Sequence, residues 1–281
     1  MSEKLIKADG VEIATQAFGN PADEPVLLVM GVMASMLWWP DAFCERLAAQ
    51  GRYVIRYDNR DTGLSTTYAP GEAPYSFDDM ADDAGRVLDA YGITAAHIVG
   101  MSMGGMIAQR LALRRPERVR TLTIIDSTPI FLDVSHLPGT TPEYMEHSDS
   151  GANVDWTDRA QVIDFIVRDV KAIAGTAFPH DAKAARAFIE RDYDRAKNFA
   201  SVTNHFSAGA GIDLSGKKIE MPLLVIHGSI DPIFPVEHGE ALAASASGAK
   251  MVRIEGGGHE MHPGHWDLII GEIGRHTAGA A

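Results

Sequence analysis

The chain has 281 residues, of which 46% are hydrophobic and 22% are charged, a composition typical of a globular protein with a large core. Its formal net charge of −13 argues against nucleic acid and membrane surfaces as partners, because both are negatively charged. No apolar run reaches the ~18 residues that span a bilayer, and no basic segment followed by an apolar one opens the chain. We therefore expect a cytoplasmic protein, either a monomer or a homodimer.

The predicted elements, taken in chain order, indicate an α/β fold. Asp9-Gly10 between two short apolar segments is typical of a β-hairpin turn, and residues 40–50 and 76–91 have the apolar spacing of helices. Strands that alternate with helices indicate a mostly parallel sheet with helices on both faces. Residues 26–30 form a continuous apolar run, the pattern of a strand buried on both faces. Further strands are predicted at the mainly apolar residues 53–57, 98–99, 122–125, 221–226 and 251–254.

One long segment breaks this alternation. Residues 136–156 are polar and loop-like, and two helical stripes follow, the first around Ile166 and the second around Ile189. We interpret residues 128–218 as a helical cap inserted into a core formed by residues 1–127 and 219–281. The cap has too few apolar residues for a large core of its own, so we expect it to rest on the sheet.

The strongest motif is a G-x-S-x-G sequence centred on Ser102, which lies between a predicted strand and an apolar-periodic helix. In this context the motif is typical of a nucleophile elbow, a strained turn that lifts the serine hydroxyl clear of the sheet. Glycines flank the serine because side chains there would collide across so tight a turn. An ordinary glycine-rich turn between a strand and a helix is the alternative. We expect Ser102 to be a nucleophile.

An acid and a histidine follow in the order that this motif requires. Asp231 comes after the strand of residues 221–226, and His259 comes after the last strand, directly behind three glycines. Parallel strands gather their functional loops at one edge of the sheet. In this arrangement His259 takes the proton of Ser102, and Asp231 orients the imidazole. Asp126, after the strand that follows the elbow, is the competing acid, although an Asp in that place more often binds local backbone.

Other reactive side chains have simpler interpretations. His259, His262 and His265 have a spacing that can suit a metal ion, but a proline interrupts it and no carboxylate completes the set, so we expect no zinc. We interpret His227 as a structural residue that forms hydrogen bonds at the end of its strand. Cys44, the single cysteine, lies on an apolar helical face and is predicted to be a buried thiol. It cannot form an internal disulfide, which fits a reducing compartment.

The backbone N–H groups of Val32 and Met103 are the expected oxyanion-hole donors. Val32 follows the strand of residues 26–30, and Met103 follows the nucleophile. We expect Met33 and Trp38 to contact the substrate, because methionine and tryptophan side chains form adaptable apolar pockets. Core filling is an equal alternative for each of these side chains. The methionines around the elbow are not all expected to face the pocket.

These motifs together resemble the α/β-hydrolase family over nearly the whole chain. The resemblance rests on the G-x-S-x-G elbow, the Asp231-Pro232 loop and the Gly-Gly-His sequence of residues 257–259. Two segments depart from the common family pattern: Met-Gly replaces His-Gly at residues 30–31, and the loop of residues 58–65 begins Asp-Asn-Arg-Asp. In both of these segments, the N-terminal half of the chain is similar to aclacinomycin methylesterase-like serine esterases. This resemblance implies the α/β-hydrolase fold and an activity like theirs, hydrolysis of a carboxymethyl ester on an aromatic polyketide.

The sequence thus predicts a serine carboxylic-ester hydrolase that acts through an acyl-enzyme. Its expected partner is a small or aromatic hydrophobic ester, in the form of a methyl ester if the resemblance extends to the substrate. We expect no cofactor and no metal ion. The same triad also fits a cofactor-free perhydrolase, a lactonase or a C–C hydrolase. An alternative of another class is a ligand receptor on the hydrolase fold, which would retain its ligand and turn over slowly.

Overall fold

One mixed sheet organises the chain in the computed structural model, which describes residues 3–279. The order of strands across the sheet is β1-β2-β4-β3-β5-β6-β7-β8. The two pairings of β2 are antiparallel and the other five are parallel, so the predicted mostly parallel sheet is confirmed. The strands are β1 (Lys4–Ala8), β2 (Val11–Phe18), β3 (Glu24–Val29), β4 (Arg52–Tyr57), β5 (Ala96–Met101), β6 (Val119–Ile125), β7 (Leu223–Gly228) and β8 (Lys250–Ile254).

Helices cover both faces of this sheet, as predicted. They are α1 (Asp41–Ala48), α2 (Phe77–Ala90), α3 (Met103–Arg114), α4 (Pro142–Asp149), α5 (Arg159–Ala172), α6 (Ala182–Arg195), α7 (Glu237–Ala244) and α8 (Trp266–Ala278). On one face α1 and α8 pack through a cluster that includes Phe43 and Ile270. On the other face α2, α3 and α7 pack through a cluster that includes Val87, Ile107 and Leu242. Within residues 3–279, no helix is long and apolar enough to cross a membrane.

Local sequence explains where several elements begin and end. Asp9 and Gly10 both have positive φ, 47° and 83°, as a two-residue turn between β1 and β2 requires. Ser76 caps α2 through a reciprocal capping box with Asp79, whose carboxylate accepts the N–H of Ser76 at 2.8 Å. Both features agree with the sequence patterns.

The segment between β6 and β7 contains α4, α5, α6 and a 3-10 helix at Phe199–Phe206. The two predicted helical stripes are confirmed as α5 and α6. The prediction of a loop over residues 136–156 is wrong, because α4 and a 3-10 turn at Ser150–Asn153 form there. None of the side chains of α4 is fully buried, so the helix has no apolar stripe; its sequence signals are Thr141 at the N-cap and Pro142 at the first position. The apolar cluster shared by α5, α6 and the 3-10 helix consists of Val162, Ile163, Phe165, Ile166, Ile189, Phe199 and Val202.

Both ends of this segment are anchored on the sheet body. Phe131 and Leu214 pack in the same cluster as the strands and α2. The small separate cluster of α5 and α6 lies between these two anchors along the chain. The division into a core and a cap at residues 128–218 stays a prediction.

Candidate active site

Ser102 occupies the turn between β5 and α3 with φ 55° and ψ −125°, a conformation that a serine adopts only under strain. Its N–H donates to the carbonyl of Ile125 at 2.9 Å, which ties the turn to β6. A Cβ on Gly100 would overlap the carbonyl oxygen of Gly104, and a Cβ on Gly104 would overlap that of Val29. The flanking glycines are therefore required by close backbone contact, and the turn has the geometry of a nucleophile elbow.

His259 and Asp231 form a hydrogen-bonded pair in which Nδ1 of the imidazole lies 2.7 Å from Oδ2 of the carboxylate. The other carboxylate oxygen accepts the backbone N–H groups of Ile233 and Phe234 at 2.8 and 3.0 Å. The backbone N–H of His259 donates to the carbonyl of Ile173, the C-cap of α5, at 2.9 Å. These contacts fix the ring so that Nε2 is the nitrogen left for proton transfer.

Burial and the hydrogen-bonded contact shift the pKa values of His259 and Asp231 in opposite directions. Burial disfavours the imidazolium, but the Asp231 carboxylate outweighs that effect and leaves the pKa of His259 above its usual value. Burial also disfavours the charged carboxylate, and His259 nevertheless brings the pKa of Asp231 below its usual value. The arrangement thus favours an ionised acid beside an imidazole that binds a proton readily, which is what a general base requires.

Asp126, the competing acid, lies beside this pair but is held differently. Its Oδ1 accepts the N–H of Gly228 on the neighbouring strand β7 at 2.8 Å. This backbone partner is 102 positions away in the chain, whereas the sequence analysis considered a local backbone partner more common. Burial, together with the charge of Asp231, raises the pKa of Asp126 well above its ordinary value and favours the neutral form. His227 donates through Nε2 to the carbonyl of Phe234 at 2.7 Å, so its role is structural, as predicted.

Asp126, His227 and Asp231 together place three potential metal-ligand atoms within 4.8 Å of one another. Each of these side chains already has a protein partner: Asp126 binds a backbone N–H, His227 binds a carbonyl, and Asp231 binds His259. Asp231 binds the imidazole, while Asp126 and His227 bind backbone groups of Gly228 and Phe234, which lie on either side of Asp231 in the chain. We therefore assign this group to positioning of the His259–Asp231 pair.

Ser102 and His259 line one cavity of about 660 Å³, a size typical of sites for small molecules. Met33 and Trp38, the expected substrate contacts, line the same cavity. Among the described residues no hydrogen bond joins the Ser102 hydroxyl to His259, and such contacts commonly tighten only when substrate binds. The wall opposite the sheet is formed by side chains of α4, α5 and the 3-10 helix at Phe199–Phe206.

Methionine is the most frequent side chain in the wall nearest the elbow. Met101, Met103 and Met106 all line the cavity, so the expectation that they would not face it together is wrong. Met30 and Met33 contribute from the loop after β3. The turn makes this possible because it reverses the chain direction between β5 and α3. By contrast, Met36 and Trp39 are fully buried in the core.

The loop after β3 runs directly against the elbow. A Cβ added to Gly31 would lie 3.0 Å from Cβ of Ser102, so a side chain at this position would require the elbow or the loop to shift. Met33 has a positive φ of 62°, and its N–H donates to Nδ1 of His205 at 3.0 Å. Nε2 of His205 donates to a backbone carbonyl of the loop after β4 at 2.7 Å. The imidazole thereby holds the turn that presents Val32 to the cavity.

Two buried carboxylates hold the other end of this loop. Asp192 of α6 accepts the hydroxyl of Ser35 and, at 2.8 Å, the indole N–H of Trp38. Asp58 accepts a backbone N–H of the loop at 2.7 Å and pairs with Arg195 of α6 at 2.8 Å. Burial raises the pKa of Asp192 to about 6 in spite of these donors. Helix α6 is therefore connected to the expected oxyanion loop through buried polar contacts.

Several side chains of the site were not identified by the sequence analysis. His205 and Asp192 contact the oxyanion loop, and Asp169 of α5 lines the cavity. Tyr144 and His147 of α4 both bind Asp169. For Asp169 one local signal exists, because the acid interrupts the apolar stripe of α5. His205 and Asp192 have no such signal, since their partners are far away in the chain.

Three reactive side chains that the sequence analysis considered do not line the cavity. His262 and His265 pack against Phe178, with ring centroids 4.7 and 4.9 Å apart. Cys44 is completely buried between α1 and the sheet. Burial raises the pKa of this thiol to about 12, so it is inert, as expected of a structural cysteine.

Comparison with known proteins places this fold and site in a family. The model of the alpha/beta hydrolase fold matches residues 24–265, and the chain therefore belongs to the α/β-hydrolase family and is an enzyme of the hydrolase class. The predicted resemblance is confirmed. The rhodomycin D methylesterases DauP of Streptomyces sp. (strain C5) and DnrP of Streptomyces peucetius are 34% and 33% identical to it, over 100% of this chain and 99% of their own length. The esterase EaEST from Exiguobacterium antarcticum shares the fold, with a TM-score of 0.80 at 22% identity over 99% of this chain and 100% of that chain.

Proposed function

We propose that this enzyme hydrolyses carboxylic esters through an acyl-enzyme, with Ser102 as the nucleophile, His259 as the general base and Asp231 as the orienting acid. One observation carries the proposal: the strained, positive-φ turn at Ser102 lies in the same cavity wall as an imidazole hydrogen-bonded to a buried carboxylate. Such backbone strain persists only where the surrounding structure holds it, and it is concentrated at active sites. The two full-length relatives, both methylesterases by name, support ester hydrolysis.

In the first step Ser102 Oγ forms a bond to the carbonyl carbon of the ester. Nε2 of His259 accepts the hydroxyl proton, and Asp231 stabilises the imidazolium that results. Negative charge develops on the carbonyl oxygen, where the N–H groups of Val32 and Met103 are the donors that we assign. Met103 is the first residue of α3, so its N–H has no intrahelical acceptor. Each such donor lowers the barrier by about 3 kcal/mol.

The second half of the reaction reverses these roles. When the tetrahedral intermediate collapses, the bond to the alkoxy group breaks and the alcohol leaves with the proton from His259. Water then gives a proton to His259 and attacks the acyl carbon, and the same N–H groups stabilise the second oxyanion. Collapse of that intermediate breaks the bond to Ser102, returns the proton to its oxygen and releases the carboxylic acid.

We propose a hydrophobic, aromatic methyl ester as the substrate class. The cavity is lined largely by methionine and aromatic side chains, which adapt to flat apolar molecules. Its volume of about 660 Å³ accommodates a molecule of several rings. The methyl ester is supported by the printed names of DauP and DnrP.

Release of methanol from methyl esters of aromatic acids tests this proposal, with p-nitrophenyl acetate as a chromogenic substrate. We expect multiple turnovers by the wild type and a loss of about 1,000-fold or more in Ser102→Ala and His259→Ala. A phosphonate ester should label the peptide that contains Ser102, detected by mass. Labelling should persist in Ser148→Ala, which removes a different hydroxyl from the cavity wall.

Turnover that survives in Ser102→Ala would contradict the assigned nucleophile. A wild type that cleaves none of these esters would contradict the proposed reaction. Tight binding of an ester without turnover would then favour a ligand receptor, and cleavage of lactones or C–C bonds would favour the other hydrolases.

A further inference from the structure

A polar cluster interrupts the largely apolar wall that faces the elbow. Asp169 of α5 and Tyr144 of α4 both line the cavity. The Tyr144 hydroxyl and Nε2 of His147 donate to the same carboxylate oxygen, Oδ1, at 3.0 and 3.1 Å. Oδ2 accepts no hydrogen bond from any of residues 3–279. Oδ1 therefore already accepts two hydrogen bonds, and Oδ2 is available to accept one from a ligand.

The cluster is held in place before any ligand binds. His147 stacks on Phe165 with ring centroids 5.0 Å apart and an interplanar angle of 11°, and Phe165 in turn contacts Trp156 edge-on. The Asp169 side chain retains only 25% of its exposure. A carboxylate that is fixed in one orientation loses little further entropy on binding, so a hydrogen bond to it contributes fully to affinity.

The charge of Asp169 is also incompletely compensated. Burial raises the pKa of Asp169, although Tyr144 and His147 both stabilise the charged form. Within residues 3–279 no lysine or arginine forms an ion pair with Asp169, and its contact with a histidine is the 3.1 Å hydrogen bond from His147. Oδ2 is open to water in the cavity, and a ligand that displaces this water without supplying a donor leaves the acceptor unpaired, which is costly. A ligand that supplies the missing donor is therefore favoured over one that leaves Oδ2 unpaired.

We propose that Asp169 determines substrate specificity by accepting, through Oδ2, a hydrogen bond from a hydroxyl or ammonium group of the ester. This inference rests on the proposed ester hydrolysis and deepens it. The substrate then has an apolar body that fits the methionine-rich wall and a donor group directed toward α5. A purely hydrocarbon acyl group leaves Oδ2 without a partner, and a carboxylate in its place is repelled.

Matched methyl benzoates with a methyl, hydroxymethyl or aminomethyl group at the meta or para position test this inference. We expect the wild type to prefer a hydroxymethyl or aminomethyl ester over the methyl one by about tenfold or more in kcat/KM, the range for one hydrogen bond to a charged group. Whichever of these two esters has the higher kcat/KM shows whether Asp169 recognises a hydroxyl or an ammonium group. Asp169→Asn places an amide N–H, which cannot accept a hydrogen bond, where Oδ2 stood. We expect the aminomethyl ratio to fall near one, and the hydroxymethyl ratio to fall as well because the bond to a charged acceptor is lost.

Asp164→Asn is the matched control. Asp164 is an exposed acid on the same helix and pairs with Arg186 on α6, so we expect the preference to persist in this variant. Equal ratios in the wild type and in Asp169→Asn would overturn the subsite while leaving ester hydrolysis intact. Thermal melting of each variant verifies that it is folded.

Failure of the wild type to cleave any of these esters would count against the proposed function instead. Binding of the matched N-methylbenzamides then decides on the subsite without turnover, measured by calorimetry on Ser102→Ala with and without Asp169→Asn. A preference for the donor-bearing amide that disappears with Asp169 supports the subsite. Absence of any preference overturns it.

Discussion

The candidate active-site cavity has two walls that are held together in different ways. We call the wall at the ends of the strands the sheet wall, and the opposite wall, formed by α4, α5 and the 3-10 helix at Phe199–Phe206 and supported by α6, the cap wall. On the sheet side backbone packs on backbone, so closely that Gly100 and Gly104 have no room for a Cβ. On the cap side the contacts are hydrogen bonds between side chains of different helices, such as that of Asp169 with Tyr144. A position with no room for a Cβ accepts no residue other than glycine. A hydrogen-bonding side chain, by contrast, can be replaced by another that forms a bond of similar strength. The sheet wall thus fixes the reaction, and the cap wall can vary with the substrate.

The two walls meet at the loop after β3. This loop contacts the elbow at Gly31, but its conformation depends on His205 and Asp192, which lie between β6 and β7 in the chain. The expected oxyanion donor at Val32 therefore belongs to both walls. Substitutions on either side of this loop test whether the two walls differ in this way.

The largest expected effect comes from the sheet wall. Asp231→Asn keeps the shape of the side chain but removes the charge that faces His259. We expect kcat for ester hydrolysis to fall by about 10,000-fold, because the imidazolium loses its partner and the tautomer is no longer fixed. Asp126→Asn is the matched control, with a much smaller loss expected in steady-state assays. Equal losses in the two variants would make Asp126 the orienting acid.

The next effect concerns stability. Gly104→Ala would drive a Cβ into the carbonyl of Val29, where no flexible side chain can give way. We expect the free energy of unfolding in urea to fall by about 3 kcal/mol, with loss of hydrolysis as the elbow shifts. Gly139→Ala has nothing within 4 Å of the added Cβ and serves as the control. A Gly104→Ala protein as stable as the wild type would show that the sheet wall can relax.

The pH dependence of activity tests the His259–Asp231 pair of the sheet wall without altering the packing of its backbone. His259 accepts a proton only when neutral, and Asp231 raises the pKa of His259. We therefore expect kcat/KM to fall on the acid side at a pH above the value of a free imidazole, ~6.5. In Asp231→Asn the effect of burial on the pKa of His259 is no longer offset by this carboxylate. The acid-side fall of the residual activity should therefore move to a lower pH. An unchanged limb would mean that another group controls it.

A buried acid of the cap wall predicts a pH dependence of stability. The pKa of Asp192 is raised from 3.8 to about 6, so the folded state holds this proton more tightly than the unfolded chain. Its contribution to stability therefore falls as pH rises between these two values and is constant above them. The side chain of Asp192→Asn cannot ionise. As pH rises over this range, we expect the free energy of unfolding of this variant, measured in urea titrations, to gain up to about 3 kcal/mol relative to that of the wild type. A difference that does not change with pH would contradict the buried, protonated state.

The smallest effect is expected from an exposed acid on the same helix. Asp194 forms two hydrogen bonds of 2.8 Å with Arg159, but both side chains are about half exposed. Water and salt screen such pairs, so Asp194→Asn should barely change the unfolding transition at any pH. A large effect would indicate that the cap helices depend on surface charge more than on their buried carboxylates.

The sheet wall could be predicted from the sequence because its geometry is local. Ser102 is framed by glycines that the tight turn requires, and the apolar runs of the strands follow from burial on both faces. Asp231 and His259 each follow a strand, so the parallel sheet brings them to one edge. Their 2.7 Å contact joins distant residues, but the topology of the sheet already implies it.

The cap wall could not be predicted to the same degree. Helix α4 buries no side chain completely, so it lacks the apolar period by which helices are recognised. The contacts of His205 with Met33 and of Asp192 with Trp38 join residues more than a hundred positions apart. Such hydrogen bonds depend on how helices pack, and no local pattern of residue types encodes them.

The methionine-lined wall also has a consequence for oxidative chemistry. Hydrogen peroxide and peracids convert methionine thioethers to sulfoxides, which are polar and disrupt apolar surfaces. Met30, Met33, Met101, Met103 and Met106 all border the space in front of Ser102. An enzyme that released a peracid there would oxidise its own pocket as it worked. The methionine wall therefore favours the proposed ester hydrolysis, whose products are an alcohol and an acid, over perhydrolysis.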